Sequence, residues 1–169
     1  MVAYRQPPNL KKLLCKAKLP GGSARPTRLA TVGLQKCGKK ICSCCSYLST
    51  MRPTVCSNTE SQFSVGTNIT CETQGVVYCL TCKHCKSQYI GQTSRRLKDR
   101  VQEHLGYIRR NQNSTGQHFN GPGHSHSQME VSVLEKVVPK TRLLLETRED
   151  LWIQEFDCME PKGLNKQVG

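Results

Sequence analysis

Two tyrosines, Tyr78 and Tyr89, flank a cysteine pair, Cys82 and Cys85, and a basic run follows that sets Arg100 and His104 four residues apart. On a helix that spacing projects both side chains from one side. Phenols, a guanidinium and an imidazole brought together on a basic protein suggest phosphodiester chemistry. The arginine would stabilise charge developing on a phosphate, while a phenol or imidazole moves a proton. Such chemistry usually recruits a magnesium ion on a hard oxygen ligand. Glu149, three residues before the chain's only tryptophan, Trp152, is the best candidate for that ligand, with Glu146, Asp150 and Glu155 competing.

Eleven cysteines in 169 residues need a separate account. The odd count, the C-x-x-C spacings and the absence of an apolar leader in MVAYRQPPNLKKLLCKAKLP favour reduced thiolates over a secreted disulfide framework. Cys82 and Cys85 have the hairpin spacing that supplies two tetrahedral zinc ligands from one turn. The other two belong in a loop that folds back, and His118 and His124, with five residues between them, suit it. His126 competes with His124, and His84 with a cysteine.

Lys and Arg outnumber Asp and Glu by 25 to 12, a formal charge of +13, which points toward a polyanion, most commonly nucleic acid. No apolar run approaches the ~18 residues of a membrane span. Residues 1–35 are rich in Lys, Arg, Pro and Gly and read as a basic arm, within which Leu10, Leu13 and Leu14 share one face of a short helix over residues 9–17. Residues 36–72 form a cysteine-rich, knuckle-like segment without helical period, in which Phe63, Val65 and Ile69 alternate like a strand. Residues 73–169 carry an α/β pattern. VVYCL and QYIG read as strands of a hairpin closed by CKHCKS. Thr93 or Ser94 is positioned to cap a helix reaching about Arg110, with Leu97, Val101, Leu105 and Ile108 as its apolar stripe. Residues 111–127 read as loop with a helical turn near 116–119. MEVSVL is a third strand, and Pro139 or Thr141 opens a second helix through LLLETREDLWIQEF that ends before Pro161.

The ordered set VVY, YIG, R-x-x-x-H, E-x-x-W-I and GLN resembles the GIY-YIG nuclease superfamily. ETREDLWIQEF, the P-x-GLN ending, and the upstream AYRQPPNLKKLL and C-x-x-x-x-C-x-x-C segments look most like the endonuclease domain of Penelope-like retroelements. The resemblance implies a small three-stranded, mainly antiparallel sheet flanked by helices, preceded by the zinc-binding segment. It implies hydrolysis of DNA with one magnesium or manganese ion on Glu149. Tyr78 corresponds to the first motif tyrosine, although Val76 and Val77 depart from its first two letters. Tyr89 and Gly91 match the second motif, Arg100 and His104 the helix, and Asn165 the terminal asparagine. Tyr78 is the favoured base of the two phenols, provided that Arg100 or the metal lowers a pKa ordinarily near ~10. The resemblance supports Cys82, Cys85, His118 and His124 as one structural zinc site. It also gives Cys37, Cys42 and Cys45 family-like spacing, with Cys71 as fourth ligand and Cys44 and Cys56 as alternatives. Cys15, Cys79 and Cys158 read as free thiols. The implied partners are DNA and the reverse-transcriptase region of a parent element, and the implied compartment is the nucleus. The competing reading is a zinc-stabilised nucleic-acid-binding module without activity.

Overall fold

The computed structural model describes residues 33–50 and 53–166, which belong to one compact unit. The short helix expected over residues 9–17 and the thiol of Cys15 lie outside the described residues. At the centre is a three-stranded antiparallel sheet of β5 (Gln74–Cys82), β6 (Gln88–Arg96) and β7 (Met129–Lys136), in the order β6-β5-β7. β5 is the middle strand and is buried on both faces, which explains its unbroken run of apolar residues. Alternate residues divide between two cores. Val76, Tyr78 and Leu80 pack with Leu97, Val101 and Ile108 of helix α1 (Leu97–Arg109). Val77 and Cys79 pack on the other face with Leu145 and Phe156 of helix α3 (Arg142–Phe156). Helix α2 (Asn113–Phe119) supports α1 and adds Phe119 to the first core.

The cysteine-rich segment packs onto this sheet. Leu34, Cys44, Leu48 and Ile69 share the core that buries Tyr78. Its elements are β1 (Gly33–Gln35), parallel to β4 (Asn68–Thr70), and the short antiparallel pair β2 (Thr54–Val55) and β3 (Gln62–Phe63). Beyond β7, the backbone at Leu48 forms a parallel bridge to Val131: Val131 N–H donates to Tyr47 O at 2.8 Å and Ser49 N–H to Val131 O at 2.8 Å. Gly33–Gln35 is thus strand where a basic arm is expected, because pairing with Asn68–Thr70 satisfies its backbone.

The first helix also starts later than the sequence suggests. Neither Thr93 nor Ser94 caps it; β6 continues to Arg96, pairing with Gln74, and α1 begins at Leu97. The hydroxyl of Thr93 accepts from Arg95 N–H instead, at 3.1 Å. The first amides of α1 find carbonyls in the cysteine-rich segment: Leu97 N–H donates to Thr73 O at 2.9 Å and Lys98 N–H to Cys71 O at 2.8 Å. Orphan donors at a helix start need partners, and tertiary carbonyls serve as well as a local side chain. Thr141 does cap α3, accepting from Leu144 N–H at 3.4 Å. None of the described helices is long and apolar enough to cross a membrane.

Candidate active site

Tyr78 lies on β5 opposite Gly91 of β6. A Cβ at Gly91 would fall 2.5 Å from the Tyr78 hydroxyl and 2.8 Å from Cε1 of Tyr89, so only a glycine lets both phenols occupy this face. The Tyr78 ring is fully buried, and its hydroxyl meets Nε2 of His104 at 2.7 Å and Nε of Arg100 at 2.9 Å. The proton positions follow from the partners. Thr115 donates its hydroxyl to Asn113 Oδ1 at 2.9 Å, so towards His104 Nδ1, 3.4 Å away, it accepts. His104 therefore carries its proton on Nδ1, and its bare Nε2 accepts from Tyr78. Tyr78 in turn accepts from Arg100. Burial, reinforced by the Arg100 charge, pushes the His104 pKa down to about 3, which keeps the ring neutral. Burial likewise pushes Tyr78 well above the ordinary phenol range, against the pull of Arg100.

Arg100 is fixed from a second side by a residue that the sequence reading did not single out. Glu103 accepts from Arg100 Nη1 at 2.5 Å and from Arg95 Nη2 at 2.6 Å. The i,i+3 spacing was the available signal. Burial opposes the Arg100 charge, but Tyr78 and Glu103 more than restore it, so its pKa rises.

Glu149, on the helix α3 that packs on the other face of the sheet, comes beside Gln92 of β6. Burial pushes its pKa up to about 7, against the opposing charge of Arg100 and a hydrogen bond from the Gln92 amide. Both phenols feel its charge. Glu149 and Tyr89 line an open cleft of about 320 Å³ with Asp150, Asn113, Ser114 and Asn165. Of the competing carboxylates, Glu146 is paired with Arg142 at 2.7 Å and Glu155 is exposed, while Asp150 shares the cleft. Asn165 is buried and holds β6 as a strand neighbour would: Ile90 N–H donates to Oδ1 at 2.9 Å, and Nδ2 donates to Ile90 O at 2.8 Å. Its amide fixes the strand between Tyr89 and Gly91.

Two sulfur-rich clusters flank these groups. Candidate ligand atoms of Cys82, Cys85, His118 and His124 all lie within 4.8 Å of one another. Nδ1 of His124 donates to Pro122 O at 2.9 Å, while its buried Nε2 has no hydrogen-bond partner. A carbonyl-fixed tautomer with a bare second nitrogen is the arrangement a metal-binding histidine needs. His126 is directed elsewhere, its Nδ1 3.1 Å from the Tyr47 hydroxyl, and His84 is exposed outside the cluster. The second cluster unites Cys37, Cys42, Cys45 and Cys71. Sulfur separations of 3.5 Å for Cys37–Cys45, 3.5 Å for Cys42–Cys71 and 3.8 Å for Cys45–Cys71 match the roughly 3.8 Å edge of a tetrahedron with zinc–sulfur arms of about 2.3 Å. The Cys37 N–H also donates to the Cys45 sulfur at 3.4 Å. Cys44 is buried outside the cluster, and Cys56, Cys79 and Cys158 are buried in the α3 core.

The family model of the GIY-YIG catalytic domain matches residues 74–162, more than half of the chain. Among solved structures, the chain is similar to the catalytic domain of the homing endonuclease I-TevI, with a TM-score of 0.47 and 21% identity, covering 55% of this chain and 98% of that one. A mutant form of the catalytic domain of the intron endonuclease I-TevI gives a TM-score of 0.48 and 20% identity, covering 57% of this chain and 100% of that one. No curated protein matches.

Proposed function

Because the chain belongs to the GIY-YIG catalytic domain family, we propose that it is a divalent-metal-dependent DNA endonuclease that nicks by hydrolysing a phosphodiester bond. The observation that carries this reading is the gathering of Arg100, the two phenols and Glu149 about one edge of the sheet, with an open cleft beside them. Arg100 offsets the extra negative charge of the pentacoordinate phosphate. Tyr78 and Glu103 hold its guanidinium in place, so little reorganisation is needed as charge develops. The two phenols differ in access. Tyr78 is the phenol that the sequence favours as base, but its hydroxyl is sealed from solvent and already committed to His104 and Arg100. Tyr89 borders the cleft, and we assign it the proton of the attacking water; burial raises its pKa, and the Arg100 charge opposes that rise. His104 and Asn165 are positioning residues, one for Tyr78 and the other for β6.

Glu149 fits a divalent cation. Its carboxylate is partly desolvated, faces a cleft and finds only one backbone amide for compensation, so protonation and a cation compete for it. One carboxylate with water and substrate phosphate completing the shell is the usual way of holding magnesium, and manganese accepts the same donors. When bound there, the ion supplies Lewis-acid charge at the scissile phosphate. The two sulfur-rich clusters suit structural zinc. Four protein ligands at each leave no position for water, so neither site cuts.

The finer assignment is to a Penelope-like retroelement or a gene derived from one. It is supported by ETREDLWIQEF, by GLN and by the cysteine spacing upstream. On that reading the partners are target DNA and the element's reverse-transcriptase region, and the compartment is the nucleus. In domain terms, residues 1–35 serve as a basic arm, 36–72 as the zinc-binding segment and 73–169 as the nuclease.

The test is nicking of supercoiled plasmid with magnesium, by the full chain and by Glu149→Ala. Nicking that the variant loses supports the reading. Plasmid binding without nicking by the unaltered chain would leave only a nucleic-acid-binding module. Metal analysis in reducing buffer should return close to two zinc ions per chain.

A further inference from the structure

The loop between Cys37 and Cys42 reads Gly-Lys-Lys-Ile, and its tip is unlike the rest of the surface. Ile41 is fully exposed, the most exposed large apolar side chain among the described residues. It follows two exposed lysines, Lys39 and Lys40, on a loop whose two ends are both cluster cysteines. A single exposed isoleucine is ordinary surface; its place beside two lysines, on a loop pinned at both ends, is what sets it apart.

Three cations gather on one carboxylate beside that tip. Glu72, next to Cys71, pairs with Lys39 at 2.7 Å, with Lys98 at 2.7 Å and with Arg96 at 3.7 Å. Asp99 holds Arg96 more closely, at 2.8 Å, and three cations against two carboxylates still leave a surplus of positive charge. Lys40 has no ion pair among the described residues. Arg95, adjacent to Arg96, pairs with Glu103, which holds Arg100. Ion pairs and chain adjacency thus connect Arg100, Arg95, Arg96, Lys98, Lys39 and Lys40 into one line, six cations against the carboxylates of Glu103, Asp99 and Glu72, ending at Ile41.

We propose that this line is the track of the DNA duplex away from the cleft. Arg95, Arg96, Lys98, Lys39 and Lys40 meet successive phosphates, and Ile41 sets its apolar side chain into a groove beyond them. The proposal rests on the reading of the cleft as a DNA site and assigns to the cysteine-rich segment a part in holding the same molecule. Cations placed along a surface serve phosphate contact. Apolar side chains such as isoleucine serve as groove wedges in proteins that bind DNA without reading its major groove.

The test measures duplex binding by the full chain without added magnesium, across a series of salt concentrations. Lys39→Gln/Lys40→Gln should weaken binding and make the log–log salt slope shallower by about two, roughly one per phosphate contact. Ile41→Ser should weaken binding about tenfold with the slope unchanged, because it removes apolar contact and no charge. All three side chains are exposed, so melting temperatures should match the unaltered chain. A double variant that keeps the original slope, or an Ile41→Ser chain that binds as tightly as its parent, overturns the track. Plasmid nicking run in parallel separates the two readings. An unaltered chain that binds with a slope sensitive to both lysines but never nicks removes the nuclease reading and leaves the track standing. One that nicks while the double variant keeps its slope removes the track alone.

Discussion

Every polar atom from Thr115 to Glu103 has one assignment: Thr115 takes the His104 proton, His104 takes that of Tyr78, Tyr78 takes that of Arg100, and Glu103 takes another from Arg100. Arg100→Ala removes the guanidinium that is hydrogen-bonded to Tyr78 and acts electrostatically on Tyr89, and should lower nicking by about 100-fold or more. Its circular dichroism and melting curve should remain close to those of the unaltered chain, since the surrounding apolar packing is untouched. Glu103→Gln loses the charge and keeps one of the two acceptor oxygens; a smaller fall, in turnover more than in DNA affinity, is expected from single-turnover nicking. Glu149 gives the pH dependence its sign. Its carboxyl is raised to about 7, so it is protonated below that value and free for a cation above it. At low magnesium, nicking should rise as pH climbs through about 7, and the midpoint should move lower as magnesium is increased. A midpoint that ignores magnesium would remove Glu149 as the ligand.

At the scale of elements, α3 must turn Glu149 towards β6, and one residue on β7 sets that rotation. Glu135 accepts from Arg148 Nε at 2.8 Å and from Trp152 Nε1 at 2.9 Å, clasping α3 on both sides of Glu149. Trp152 packs edge-on against Phe63 at 5.1 Å, which adds the β2–β3 pair to the same support. Glu135→Ala should raise the magnesium needed for half-maximal nicking, and Glu135→Gln, which can still accept both bonds, should restore it. The strands and helices of this layer were legible in the sequence because their apolar periods are strong: VVYCL on β5 and the Leu97–Val101–Ile108 stripe on α1. The start of α1 was not. Its cap comes from the carbonyls of Cys71 and Thr73, and no local pattern announces a partner of that kind. The tryptophan of E-x-x-W was visible as a motif letter, but its acceptor on β7 required the fold. Gly91 shows the opposite case. Its motif letter was readable at once, and the structure supplies the reason, since Gly91→Ala would push a methyl into the Tyr78 hydroxyl. That variant should be destabilised by about 1–3 kcal/mol in chemical denaturation and lose nicking as Tyr78 is displaced.

Across the whole molecule, the two sulfur-rich clusters join pieces of chain far apart in sequence. One ties residues 37–45 to Cys71 and hence to the start of α1; the other ties the β5–β6 hairpin to the end of α2 and the loop after it. Removing metal with a strong chelator under reducing conditions should lower the melting temperature in two separable steps, and adding magnesium back should not reverse either. Which thiols belonged together was readable for Cys82 and Cys85 from their spacing. For Cys71 it depended on β4 returning beside β1, a pairing that only three residues on each side specify.

The sheet itself has only three strands, and an open sheet of that size offers two bare rims to any other peptide. Here both rims are occupied at mid-length by stretches from opposite ends of the described chain: the bridge at Leu48 lies along β7, and Asn165 lies along β6. Each visitor gives its host main-chain groups a partner without becoming a full strand. The same thiols that order the amino-terminal stretch therefore also guard against self-stacking. On the zinc reading, a molecule treated with a strong chelator should uncover the β7 rim and clump, at a rate that climbs with protein concentration, well before its central layer melts.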